Sequence, residues 1–120
     1  MAKLVHTQSG KVIGEYPLVK GSISIGRSKD SDIRLEDITV SGCHAVVEVV
    51  TSEYMDNCND VYLIDQHSTN GTIINGRHVK RHLMKHGEMA VIGQNEFSLI
   101  DEESLSFERT MVFIPENKQG

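Results

Sequence analysis

The feature that most restricts this chain is a succession of short apolar runs, each cut off by turn residues before it reaches helical length. Ala45-Val46-Val47-Glu48-Val49-Val50 is the strongest run, rich in the β-branched residues that suit a pleated, half-buried surface. Ser22-Ile23-Ser24-Ile25 and Glu96-Phe97-Ser98-Leu99-Ile100 alternate apolar and polar with period two, as strands with one buried face do. Leu4-Val5 and Val12-Ile13 flank Gln8-Ser9-Gly10-Lys11 and predict a hairpin. Tyr16-Pro17-Leu18-Val19 predicts an edge or irregular strand, because Pro17 has no N–H for a central ladder. Ile33-Arg34-Leu35, Val61 to Ile64, Thr72-Ile73-Ile74 and Met89 to Ile92 read as further strands. Glu36 to Gly42 reads as a loop with Ile38 and Val40 as its apolar anchors. No stretch combines helical period, caps and length, so the pattern predicts an all-β sandwich.

At 120 residues the chain can bury one core without disulfide staples. Its two cysteines, Cys43 and Cys58, are too few for a disulfide framework or a closed zinc site, and read as reduced thiols of a cytoplasmic protein. A net charge of −5 argues against non-specific binding to nucleic acid or an anionic membrane. A local basic patch remains open, since Arg77, Lys80, Arg81 and Lys85 lie close together. The stretch Met1-Ala2-Lys3-Leu4-Val5-His6 lacks the long apolar segment expected of a signal peptide, and no run approaches the roughly 18 apolar residues of a membrane span. The expected division is a β-sandwich over residues 1–101 and a tail over 102–120. The tail's apolar segment Phe107 to Pro115 is either flexible or an added edge strand.

Functional residues concentrate in three polar stretches. The longest runs Asp65-Gln66-His67-Ser68-Thr69-Asn70-Gly71-Thr72-Ile73-Ile74-Asn75-Gly76. Asn70-Gly71 and Asn75-Gly76 are turn dipeptides, because Asn and Gly accept positive φ at low cost. Such loops expose backbone N–H groups and short hydroxyl and amide side chains, the groups that hold a phosphate or another chain's backbone. Ile25-Gly26-Arg27-Ser28 and Val40-Ser41-Gly42-Cys43-His44-Ala45 lie upstream.

The ordered set Gly-Arg, Ser-x-x-His, Ser-Thr-Asn-Gly-Thr and Asn-Gly resembles the forkhead-associated (FHA) domain over roughly Ser22 to Ile100. The resemblance implies a two-sheet antiparallel β-sandwich with its binding loops at one end. It also implies a non-catalytic module that binds phosphothreonine in peptides. Arg27, Ser41, Thr69 and Asn70 match the family's phosphopeptide-binding positions. Gly26, His44, Gly71 and Asn75 match positions that shape the loops, the histidine by bracing them with hydrogen bonds. The chemistry of each residue fits its role. Arg27 carries a planar fork of donors matched to phosphate, Ser41 and Thr69 carry hydroxyls, and Asn70 has a donor and an acceptor for a peptide main chain. The implied partner is a phosphothreonine protein, either a Ser/Thr kinase or its substrate, with no cofactor and no metal. Residues from Arg77 to Lys85, or from Ser28 to Asp32, are candidates for reading the side chains that follow the phosphothreonine.

One position departs from the pattern. Many FHA domains carry Arg, Asn or Lys after the motif serine, whereas here Gly42-Cys43 follows Ser41. The lost donor predicts weaker phosphate affinity or a partner with other anchors. It also leaves open a scaffold that binds without phosphorylation. A further alternative is regulation by the chain's own tail. Thr110, with Arg109 before it and Phe113 three residues on, would be phosphorylated and dock in its own site or in a second copy; Thr7 is a similar candidate near the other terminus.

Other constellations carry less. His78, His82 and His86 would share a face only on a helix, and their segment has no helix start. Ser41, His44 and Asp65 lack the Gly-x-Ser-x-Gly elbow of a hydrolase, and no Gly-x-x-x-x-Gly-Lys-Ser/Thr nucleotide loop occurs.

Overall fold

A computed structural model describes residues 2–52 and 59–101. Eleven strands are formed: β1 (Lys3–Gln8), β2 (Lys11–Pro17), β3 (Gly21–Gly26), β4 (Ile33–Arg34), β5 (Ala45–Thr51), β6 (Asn59–Asp65), β7 (Thr72–Ile74), β8 (Arg77–Val79), β9 (Arg81–Met84), β10 (Met89–Ile92) and β11 (Asn95–Ile100). They form a six-stranded sheet in the order β2-β1-β11-β10-β7-β8 and a five-stranded sheet in the order β4-β3-β5-β6-β9. Pairing is antiparallel except between β3 and β4, where Ile25 and Gly26 lie beside Ile33 and Arg34 in parallel. No helix occurs among the described residues, and so none is long and apolar enough to cross a membrane.

The alternation in the sequence becomes the two faces of each strand. On β5, Ala45, Val47 and Val49 are buried and Val46, Glu48 and Val50 are only partly so. On β11, Asn95, Phe97 and Leu99 point inward. Leu4, Ile25, Leu63, Ile74 and Ile92 fill the space between the sheets. Each such side chain contributes about 1.5–3 kcal/mol by leaving water. Pro17 closes β2, which is an edge strand as expected. His6 is buried on β1, stacked on Phe97 with ring centroids 4.5 Å apart, and its Nε2 lies 2.8 Å from Asn95 Oδ1.

One expectation is corrected. Ile38 does not anchor its loop: it is 86% exposed, whereas Val40 is 1% exposed. The cause is a tight turn in which Val40 N–H donates to the Asp37 carbonyl at 2.9 Å, so Val40 turns in and Ile38 occupies the corner. Thr7 lies within β1, between β2 and β11, and its hydroxyl donates to Glu96 at 3.1 Å. Cys58, Thr110 and the rest of the 102–120 segment lie outside the described residues.

Candidate functional site

Strand direction gathers the polar loops at one end of the sandwich. β3 runs toward Arg27, β5 starts just after Ser41 to Cys43, and β6 ends at Asp65. Since β5 pairs antiparallel with both β3 and β6, with Ala45 opposite Ile25 and Asp65, the three loops meet at that edge.

Backbone bonds join the first two loops. Arg27 N–H donates to the Ser41 carbonyl at 3.0 Å, Ser28 N–H donates to the Gly42 carbonyl at 3.1 Å, and His44 N–H donates to the Ile25 carbonyl at 3.0 Å. The approach is so close that a Cβ on Gly26 would collide with the Gly42 carbonyl oxygen. Glycine is therefore required by proximity at that position, as its φ is ordinary.

The third loop is tied in by side chains. Ser41 Oγ accepts from Thr69 N–H at 2.9 Å, and Asn70 Nδ2 donates to the Thr39 carbonyl at 2.9 Å. His44 is fully buried beneath them. Its Nδ1 accepts from Ser41 N–H at 3.1 Å, and its Nε2 lies 2.9 Å from the Gly71 carbonyl. A backbone N–H can only donate, so Nδ1 is unprotonated and Nε2–H donates to Gly71. Gly71 has φ +86°, and a Cβ there would run into the His78 ring.

Asp65 organises the loop from its base. Its carboxylate accepts from the Ser68 hydroxyl at 2.5 Å, from Ser68 N–H at 3.0 Å and from the Thr72 hydroxyl at 2.8 Å. Burial pushes its pKa up, but the bonds from Ser68 and Thr72 outweigh that and hold it below the usual value. Asp37 does the same for the loop before Ser41. It accepts from the Thr39 hydroxyl at 2.6 Å, Gln94 N–H at 2.9 Å and Thr39 N–H at 2.9 Å, and these bonds lower its pKa. Sequence reading missed Asp37, although Asp37-Ile38-Thr39 has the spacing of an Asx turn.

Arg27, Ser41, Thr69 and Asn70 thus share one rim. The Arg27 guanidinium has no hydrogen bond or ion pair among the described residues, and neither does the Thr69 hydroxyl or Asn70 Oδ1. The Ser41 hydroxyl accepts one bond and keeps its own proton to donate. Gly42 is exposed, and open space surrounds the position a Cβ would take. Asn75 lies at the opposite end of the sandwich, in the β7–β8 turn with φ 54°, and bonds Glu88 at 2.9 Å. His44 faces the Ser41 main chain and not its hydroxyl, which is not the arrangement of a nucleophile and its base. His78 and His82 lie on β8 and β9, with His82 directed to Glu88, and His86 accepts from Asp101 N–H.

The fold and rim define a class: a β-sandwich that presents a cation, hydroxyls and an amide on interlocked loops, the makings of a recognition module. Residues 23–93 match the FHA domain family, more than half of the chain, and the protein belongs to that family. It is 37% identical over 93 residues to the glycogen accumulation regulator GarA of Mycobacterium tuberculosis, covering 78% of this chain and 53% of GarA. It is 34% identical over 83 residues to the probable serine/threonine-protein kinase fhkA of Dictyostelium discoideum, covering 64% of this chain and 14% of the kinase. The chain therefore spans about half of one relative and a small part of the other. Among solved structures, one from a study of phosphothreonine-dependent FHA domain interactions superposes with a TM-score of 0.69 at 28% identity, covering 83% of this chain and 95% of that one. FHA domains are binding modules, and this is the class the chain belongs to.

Proposed function

We propose that Arg27, Ser41, Thr69 and Asn70 form the seat for the phosphothreonine. The observation that carries this reading is the unpaired Arg27 guanidinium beside three interlocked polar loops. A phosphothreonine brings nearly two negative charges and three strong acceptor oxygens. Arg27 meets the charge with a bidentate fork, while the Ser41 and Thr69 hydroxyls donate to the remaining oxygens. Asn70 is already fixed through one N–H, which leaves Oδ1 to take a peptide N–H. Gly26, His44 and Gly71 act through the loops, by close approach and by the buried imidazole bridge.

The module acts by binding alone. Its partner is a phosphothreonine protein, a Ser/Thr kinase or the substrate of one, encountered in the cytoplasm. The kinase name of one relative supports that direction. Residues 1–101 serve as the binding unit and 102–120 as its appendage. Mapping amide shifts by NMR during addition of a phosphothreonine peptide pool tests the site. The largest changes are expected at Arg27, Ser41, Thr69 and Asn70. Changes confined to Asn75 and Glu88, at the opposite end, would sink the assignment.

A further inference from the structure

Among the described residues, Ile38 is the most exposed large apolar side chain, at 86%. Single apolar residues on a surface need no special account. What sets this one apart is how firmly its backbone is held. Asp37 on one side accepts the bonds from Thr39 and from Gln94 N–H already described. Thr39 on the other side receives Asn70 Nδ2 at its carbonyl. Val40 closes the turn and is buried. The turn also rests on Gly93, where a Cβ would meet Asp37 Oδ2 and Thr39 Oγ1, both at 2.6 Å. The loop thus holds a large aliphatic group out into water, one residue from the carbonyl that grips Asn70.

We infer that Ile38 is a specificity-determining contact of the peptide site, taking an aliphatic or aromatic side chain that flanks the phosphothreonine. This rests on the reading of Arg27, Ser41, Thr69 and Asn70 as the seat. Two physical points favour it. A clamped backbone leaves little chain entropy to lose when Ile38 is covered, so most of the gain from burial appears as affinity. The seat also lacks a side chain at Gly42, and an apolar contact nearby offsets that missing donor without adding charge. The acids that precede it in the chain, Glu36 and Asp37, disfavour an acidic residue at the same peptide position. Glu36 is exposed and Asp37 is occupied by its own donors.

The test uses the full chain and a synthetic phosphothreonine peptide library with each flanking position varied. The native chain is expected to select an apolar residue at one position, by about five- to tenfold over alanine. Ile38→Ser is expected to bring that ratio close to one. Ile38→Lys is expected to move the choice at the same position toward Asp or Glu. Because Ile38 is exposed, the thermal midpoint of both variants should match the native one, so loss of folding is read separately. A native chain that binds phosphothreonine peptides with no apolar choice, or with one that Ile38→Ser leaves intact, overturns the inference and spares the seat. A native chain that binds no phosphopeptide overturns both.

Discussion

Both ends of this sandwich are held by a carboxylate clamp, yet among the described residues the two ends differ in what the clamp leaves exposed. At the loop end, Asp65 gathers Ser68 and Thr72. At the other, Glu88 accepts from Lys85 N–H at 2.8 Å and from Asn75 Nδ2 at 2.9 Å, and lies 3.0 Å from His82 Nε2. Burial pushes the pKa of each acid up, and in each the hydrogen bonds win and bring it below the ordinary value. The difference lies in what the clamp leaves over. Around Glu88 the clamp takes up Asn75 Nδ2, the Lys85 N–H and His82, and the groove above, about 560 Å³, is lined by Ile73, Met89 and Val91 together with Asn75, His86 and Glu88, with no hydroxyl or guanidinium among its lining. Around Asp65 the loops are equally fixed, but Arg27, the Thr69 hydroxyl and Asn70 Oδ1 keep their hydrogen-bonding capacity. Rigid loops that gather a guanidinium, hydroxyls and an amide have the form a preorganised anion seat requires, whereas the Glu88 groove gathers neither a guanidinium nor a hydroxyl.

Breaking the seat directly should have the largest effect. Arg27→Ala is expected to lower affinity for a phosphothreonine peptide by about 100-fold or more, since charge-assisted bonds are worth about 1.5–3 kcal/mol each. Glu88→Gln should leave the same affinity within about twofold; calorimetric titration of both variants makes the contrast. Breaking the clamps should separate stability from binding. Asp65→Ala strands the buried Thr72 hydroxyl and frees Ser68, at about 2–4 kcal/mol in urea unfolding. It should also weaken the peptide, while Glu88→Gln lowers stability alone, by about 1 kcal/mol.

The clamps also set a pH dependence. The ordinary values are 3.8 for Asp37 and Asp65 and 4.5 for Glu88, and the folded chain holds all three lower. The unfolded chain thus takes up these protons first as acid is added. The stabilisation is complete above the unfolded values and is lost as pH falls through the lower folded ones. Unfolding midpoints should be flat from pH 7 to about 5 and decline below about 4.5. Asp65→Asn and Glu88→Gln should each flatten that decline. The smallest expected change is a gain. Gly42 has an ordinary φ and free space at its missing Cβ, so Gly42→Asn adds a donor without strain. Phosphopeptide affinity should rise by about three- to tenfold by calorimetry.

Local pattern made most of the strands legible, because burial on one face leaves an alternation that can be read residue by residue. The site motifs were legible through their resemblance to the FHA family, and two of their glycines have a local reason: Gly71 takes a positive φ, and Gly26 lies too close to the Gly42 carbonyl for a Cβ. Pairings between distant segments were not legible. Nothing in Ile25 or Ile33 signals that β3 and β4 lie parallel. Ile38 shows the limit most clearly. Residue type alone ranks it with Val40, and only the Asp37–Val40 turn decides which of the two faces the core. Asp37 was missed because one of its partners, Gln94, is far away in the chain.

The central claim is that the Asp65 end of the sandwich, and not the Glu88 end, seats a phosphorylated threonine. Titrating one peptide in its phosphothreonine, phosphoserine and unmodified forms against the native chain, and the phosphothreonine form against Arg27→Ala and Glu88→Gln to mark the end that holds it, tests it most directly. The account predicts binding of the first, a clear loss for the second, where a methyl worth about 1 kcal/mol is missing, and none for the third. Equal binding of the phosphorylated and unmodified forms would contradict it.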